Sequence, residues 1–283
     1  MVFLKQTLPT ERETAERTSH AYIFRGTDSY QGISIDGVKN IQRLLESCHT
    51  FLEIASLNSN EVEPEKWDKR SLFVFPGGKC HIWDQLFKAT TIRKIKEFVH
   101  DGGNVLGVCA GAYFCSRIVQ YQISDTQVID RERDLAFFPG KCVGPLLSNN
   151  QPETNRATIQ EVKIRWESDQ SEGYVLMNGG GYFVPDPGVP ANDYQVLARY
   201  ADEPDEKSIA VVKCKVGEGV AILSGPHFEY SWEDIPFSEL IEVDPEQEDR
   251  LGTMRTRLQE SNHFRLQCFK EMQALFQTNS LSK

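Results

Sequence analysis

Gly102-Gly103-Asn104-Val105-Leu106-Gly107-Val108-Cys109-Ala110-Gly111 is the stretch on which the fold of this 283-residue chain turns. Val105 to Val108 is a short apolar run bounded by turn residues, the pattern of a buried strand. It leads directly into a small-residue turn that carries a cysteine. Gly-x-Cys-x-Gly at a strand-to-helix junction is the thiol form of a nucleophile elbow. The turn is so sharp that only very small residues fit beside the nucleophile, and the sulfur is left projecting at the carboxyl edge of the sheet. The N-terminus of the next helix then offers free N–H groups and the positive end of its dipole, both of which favour a thiolate.

Upstream, Leu72 to Phe75 is short and wholly apolar, as central parallel strands are, and it ends in Pro76-Gly77-Gly78. Ala21 to Phe24 and Phe51 to Leu57 read as two further strands. Between them, Val38, Ile41, Leu44 and Leu45 keep a helical spacing from Asp36, taken as the N-cap, to Cys48. Ile82 to Val99 reads as one helix through Leu86, Ile92, Ile95 and Phe98. Strands alternating with helices imply a mostly parallel, flavodoxin-like sheet flanked by helices, with ligands at the carboxyl ends of the strands. Beyond residue 119 the pattern alternates instead, over 159–164, 174–176, 209–216 and 220–223, with Gly217-Glu218-Gly219 as a hairpin turn. These segments are expected to add antiparallel strands to one edge of the same sheet. A helical tail from Glu248 to Leu275 completes an organisation of an N-terminal arm, 1–19, and one domain, 20–283.

A chain of this length buries a substantial core, and 40% hydrophobic with 25% charged residues is ordinary for a globular protein. The net charge is −10, and the nine acids and one base between Glu229 and Arg250 concentrate it in one solvated stretch. No basic stripe interleaved with aromatics is present, which argues against nucleic acid. The four-residue apolar start, Met1 to Leu4, is too short for a secretory core, and no run approaches the ~18 apolar residues of a membrane span. Seven cysteines, an odd number, fit reduced thiols in a cytoplasmic protein. The adjacent Cys80 and His81 diverge in most backbones, so neither a metal nor a cofactor is implied.

A thiol nucleophile needs a base, a group to orient that base, and donors for the oxyanion. Among six histidines, His20, His49, His100 and His263 fall in polar surroundings at element ends. His227 differs, because it follows the strand 220–223 across Ser224-Gly225-Pro226 and so belongs at a strand's carboxyl end. Glu229 lies two residues on and points the same way in extended backbone, where it can fix the imidazole tautomer. Cys109, His227 and Glu229 are therefore the candidate catalytic set. Ala110, immediately after the nucleophile, is the expected first oxyanion donor, with Gly77 or Gly78 as the second. Asn178, Gly179 and Gly180, ahead of Gly181-Tyr182, are candidates for laying backbone amides beside a substrate. Tyr113 and Cys115, further along the elbow helix, read as packing.

The strand–cysteine elbow, the preceding Pro-Gly-Gly and the late His-x-Glu resemble the class I glutamine amidotransferase fold, whose usual ending is His-Pro-Glu. Phe228 stands in the proline position and leaves the spacing intact. Five blocks in order (Phe73 to Gly78, Gly107 to Phe114, Arg133 to Gly140, Asn178 to Gly181 and Ser224 to His227) resemble the N-terminal domain of fungal-type biotin–protein ligases over about residues 20 to 270. The resemblance implies an amidotransferase-like module. The ligase's Gly-Arg-Gly loop has no counterpart here, so biotin adenylation is not implied.

Two functional expectations follow. The first is a thiol hydrolase or amidotransferase that cleaves a C–N amide bond of a small molecule or peptide through a thioester on Cys109. The second is a binding or regulatory module that keeps the elbow for its geometry and docks on a protein partner such as a biotin ligase or a carrier protein. A redox role for Cys109 is the weakest reading, since no resolving cysteine has a persuasive spacing.

Overall fold

A computed structural model describes residues 18–27, 32–48, 51–79, 83–124, 126–147, 159–190, 192–243 and 245–277. Residues 1–17 of the expected arm, His49, the Cys80-His81 pair and Ile82 lie outside the described residues. The strands are β1 (Thr18–Phe24), β2 (Phe51–Leu57), β3 (Leu72–Phe75), β4 (Asn104–Val108), β5 (Ser116–Ser124), β6 (Gln127–Glu132), β7 (Phe138–Gly144), β8 (Gln160–Trp166), β9 (Glu172–Met177), β10 (Tyr182–Pro185), β11 (Tyr194–Tyr200), β12 (Ile209–Val216) and β13 (Gly219–Ser224). The helices are α1 (Ile35–Ser47), α2 (Trp83–Leu86), α3 (Ala89–His100), α4 (Ala110–Cys115), α5 (Phe237–Val243), α6 (Glu248–Glu260) and α7 (Asn262–Gln277).

Nine strands form the main sheet in the order β2-β1-β3-β4-β13-β12-β11-β8-β9. From β2 to β13 every pairing is parallel, and from β13 to β9 every pairing is antiparallel. The expected parallel sheet with antiparallel strands added at one edge is therefore present. Its centre is fully apolar: β3 and β4 are buried at every position, as strands covered on both faces must be. Helix α1 turns Val38, Ile41, Leu44 and Leu45 inward, and α3 does the same with Ile92, Ile95, Phe98 and Val99.

Several local expectations are corrected. Ser34, not Asp36, caps α1: its side chain accepts from the Gly37 N–H at 3.0 Å, and Asp36 lies in the first turn. The helix expected over 82–99 is two, α2 and α3, and the tail is likewise two, α6 and α7. Helix α4 is only six residues long, all buried, because the alternating residues from Ser116 onward pull the chain into β5. That strand belongs to a second sheet, ordered β10-β7-β5-β6, which the sequence pattern does not announce. The four segments expected at the edge of the main sheet all lie in it, as β8, β9, β12 and β13. Phe138 of β7 meets Phe183 edge-on within the second sheet and fastens that sheet to the rest by meeting Tyr194 of β11 edge-on.

Candidate active site around Cys109

Cys109 ends β4 in a conformation that L-residues avoid, φ 50° and ψ −109°. The neighbouring strands hold it there. Its N–H donates to the Ser224 carbonyl at the end of β13 at 2.8 Å, and Gly111 N–H donates to the Pro76 carbonyl at the end of β3 at 3.2 Å. A Cβ at Gly111 would overlap the Phe75 carbonyl oxygen, which is why the second glycine of the elbow is needed. Strain held by surrounding structure at one residue is a mark of a functional position. Ala110 opens α4, where its N–H has no carbonyl a turn earlier in a helix to bond.

β13 delivers the base. Its last residue, Ser224, pairs in register with Val108, so the chain leaving β13 passes beside the elbow. His227 N–H donates to the Leu176 carbonyl of β9 at 2.8 Å. Its Nδ1 lies 2.7 Å from Glu229 Oε1, and both side chains are almost fully buried. His227 Nε2 and Glu229 Oε2 make no hydrogen bond among the described residues. Tyr230 packs edge-on against the imidazole at 5.6 Å, and its hydroxyl meets Ser34 Oγ at 3.2 Å. Burial works against charge on His227, but Glu229 and then Cys109 outweigh it and hold its pKa well above the usual imidazole value. The pair is thereby disposed to be carboxylate and imidazolium.

The Gly77–Gly78 loop stands between nucleophile and base. Gly78 bridges to Ile33, and the Gly77 carbonyl accepts from Ser34 N–H at 3.0 Å. A Cβ at Gly77 would come 2.9 Å from His227 Cε1 and 3.6 Å from Cys109 Cβ. Gly77→Ala is therefore expected to push the imidazole out of line, slowing alkylation of Cys109 at neutral pH about tenfold while changing stability by no more than ~1 kcal/mol. Residue-resolved labelling alongside a thermal melt checks this.

The 178–181 loop presents carbonyls to its surroundings. Asn178 O accepts from Cys109 Sγ at 3.4 Å, and Gly179 O accepts from the Tyr113 hydroxyl at 3.1 Å. Gly180 O accepts from Leu146 N–H at 2.9 Å, and Gly181 O accepts from the Tyr200 hydroxyl at 2.7 Å. Burial holds the Tyr200 phenol protonated, as that last bond requires. Tyr113, read from the sequence as packing, thus also pins this loop. Sγ is directed at Asn178 O and makes no geometrically closed bond to His227 Nε2, so nucleophile and base stand as neighbours. Contacts of this kind tighten when substrate binds.

Cys109, His227, Glu229, the Gly77–Gly78 loop and the Asn178–Gly180 loop are brought to one place. His20, His100 and His263 stand elsewhere in polar surroundings, His20 beside Glu53 and His100 beside Asp101. Ser34, Tyr230 and Arg265 border the site without having been singled out in the sequence. Tyr230 directly follows Glu229, but Ser34 is remote in sequence from every candidate residue, and their pairing across the fold has no local signal. The six described cysteines are free thiols. Burial drives the Cys115, Cys214 and Cys268 thiols well up, which makes them inert.

The description "Biotin-protein ligase, N terminal" is that of the family whose model matches residues 22–281. The chain belongs to this family. It is 33% identical to a biotin–protein ligase of Schizosaccharomyces pombe over 205 residues, covering 70% of this chain and 32% of that protein. The chain thus spans about a third of the length of that relative. It is also 29% identical over 181 residues to an uncharacterized protein of Chlamydia muridarum, covering 63% of this chain and 69% of that one. Among solved structures it is similar to a glutamine amidotransferase from Thermotoga maritima, with a TM-score of 0.49 and 10% identity, covering 92% of this chain and 99% of the other. No helix among the described residues is long and apolar enough to cross a membrane.

Proposed function

We propose that the chain is a cysteine-dependent hydrolase or amidotransferase-like enzyme that cleaves a C–N amide bond through a thioester on Cys109. The observation that carries this reading is the buried His227–Glu229 pair, at 2.7 Å, set beside a thiol in a strained elbow. A purely structural turn has no use for an ionisable pair at that depth, since burying charge is costly unless the charges serve each other.

In the first step Sγ, its proton already held on Nε2 of the His227 imidazolium, attacks the amide carbon as a thiolate, and a C–S bond forms as the carbonyl π bond opens to the oxyanion. The N–H groups of Ala110 and of Gly77 or Gly78 receive the oxyanion. The C–N bond then breaks as His227 returns the proton to the departing nitrogen, which leaves as ammonia or an amine. Water attacks the thioester, His227 takes its proton, and the acid is released with the thiol restored. Glu229 orients the ring and matches its charge throughout. The Asn178 carbonyl fits an amide substrate. Once the thiol proton has moved to His227, the bond from Sγ to this carbonyl is lost, and an N–H of the scissile amide takes its place.

The test is incubation of the full chain with glutamine, other primary amides, peptide amides and biotinyl amides. Ammonia or amine release is followed, together with a hydroxylamine-sensitive acyl adduct on Cys109 by mass spectrometry. An adduct confined to Cys109 is expected. If no amide acylates the chain and Cys109 alkylates no faster than the other thiols, the enzyme reading is wrong and a binding module takes its place.

A further inference from the structure

Of the described arginines, only Arg133 and Arg265 are buried. Arg265 lies in the first turn of α7, far along the chain from the elbow. A guanidinium is rarely buried unless its donors and charge are fully used, so the partners it finds are informative. Nη1–H donates to the Phe228 carbonyl at 2.6 Å. Nε–H and Nη2–H both donate to Asn262 Oδ1, at 3.0 and 2.8 Å, which fixes the plane of the fork. Burial draws its pKa down, opposed by the charges of Asp234 and Glu229.

Phe228 is the residue between the base and its orienter. Its ring is buried and meets Trp166 of β8 edge-on at 6.1 Å. The three-residue segment is therefore held at successive points: His227 N–H on the Leu176 carbonyl, the Phe228 ring on Trp166, and the Phe228 carbonyl on Arg265. Side chains two apart in extended backbone share a direction only while the intervening peptide keeps its plane. Holding that carbonyl holds the His227–Glu229 contact. The same guanidinium sets a positive charge near the carboxylate whose second oxygen has no hydrogen bond among the described residues.

We infer that Arg265 is a positioning residue that locks His227 and Glu229 in register, making helix α7 part of the site. Its use in catalysis rests on the thiol-hydrolase reading, but the geometry it enforces can be measured without any substrate. The groups facing His227 are Cys109, Glu229 and the Tyr230 ring. Those facing Arg265 are Asp234 and Glu229, and its charge is not among those acting on His227. Loss of that charge alone removes at most a repulsion and so leaves the imidazole midpoint in place or raises it, whereas loosened geometry lowers it.

The experiment is an NMR titration of the His227 imidazole in the full chain, for wild type, Arg265→Met and Arg265→Lys, with Glu229→Gln as reference. Arg265→Met is expected to lower the midpoint by about one pH unit, in the direction of Glu229→Gln. Arg265→Lys, which keeps the charge without the fork, should fall between. If Arg265→Met fails to fold, Asn262→Ala, which frees the fork, should lower the midpoint by a smaller amount. An unchanged or raised midpoint in a folded variant overturns the inference. The alkylation profile of Cys109 is read in parallel. A lowered midpoint with an unreactive Cys109 would leave Arg265 as a positioning residue and remove the hydrolase.

Discussion

Cys109→Gly is expected to be more stable than the wild type and wholly inactive. A side chain held at φ 50° and ψ −109° costs about 1–3 kcal/mol, and glycine escapes that cost. Glycine also gains freedom in the unfolded chain, which takes back roughly 0.5–1 kcal/mol. The net expectation is a gain of about 1 kcal/mol, read as a higher midpoint in urea. Cys109→Ala is the informative partner. It keeps the Cβ and therefore the strain, and loses the S–H donor to Asn178 at 3.4 Å, so it should lie at or slightly below wild type. Both variants should lose amide turnover completely, since nothing else at the elbow can form the thioester. If Cys109→Gly proves less stable than Cys109→Ala, the elbow is not strained. Turnover surviving in either variant would remove the sulfur from the mechanism.

The parts of the fold that could be read from the sequence are those whose local pattern and tertiary burial agree. Leu72 to Phe75 is apolar at every position because both faces of β3 are covered, and β4 announces itself in the same way. The elbow was legible because its geometry excludes all but the smallest residues at Gly111, a steric demand that the sequence must meet. His227 and Glu229 were legible because the strand before them and their two-residue spacing fix where they point.

The second sheet was not legible, for equally physical reasons. β6 is exposed at all but one position, Ile129, so it has no apolar alternation to display and exists through pairing with β5. β7 contains Pro139, Gly140 and Gly144, residues that read as loop, yet its burial alternates strictly along the strand. Its pairing with β5 and β10 overrides composition. Arg265 was hidden for a different reason. An arginine in an amphipathic tail helix reads as solvated, and only the carbonyl of Phe228, 37 residues away, gives it a reason to be buried.

Glu229→Gln is expected to cut turnover by about 10²- to 10³-fold while leaving a measurable residue. Glutamine keeps the shape and can still accept from Nδ1–H, but it supplies no charge to the imidazolium. A thiol, unlike a hydroxyl, stays nucleophilic without full activation, so the loss is smaller than the ~10⁴ seen when a serine enzyme loses its orienting carboxylate. The same substitution should reverse the sign of a stability term. In the wild type, burial opposes charge on His227, but Glu229 and Cys109 together raise its pKa well above normal. A group raised in the folded state contributes stability that is fully present below its unfolded pKa of about 6.5 and is lost as pH climbs through the folded value. In Glu229→Gln the leading cause of the rise is gone, burial prevails, and the ring is neutral. Its contribution is then lost on the acid side instead. The groups around the ring do not blur this reading, because burial and the charge on Glu229 both hold the Tyr230 phenol protonated. Urea unfolding of both proteins at a series of pH values isolates the term, since the difference between them should narrow as pH rises. A difference that stays flat, or widens, would mean that His227 and Glu229 do not share an imidazolium–carboxylate pair in the folded chain. The thiol would then have no preformed acid to protonate its leaving group.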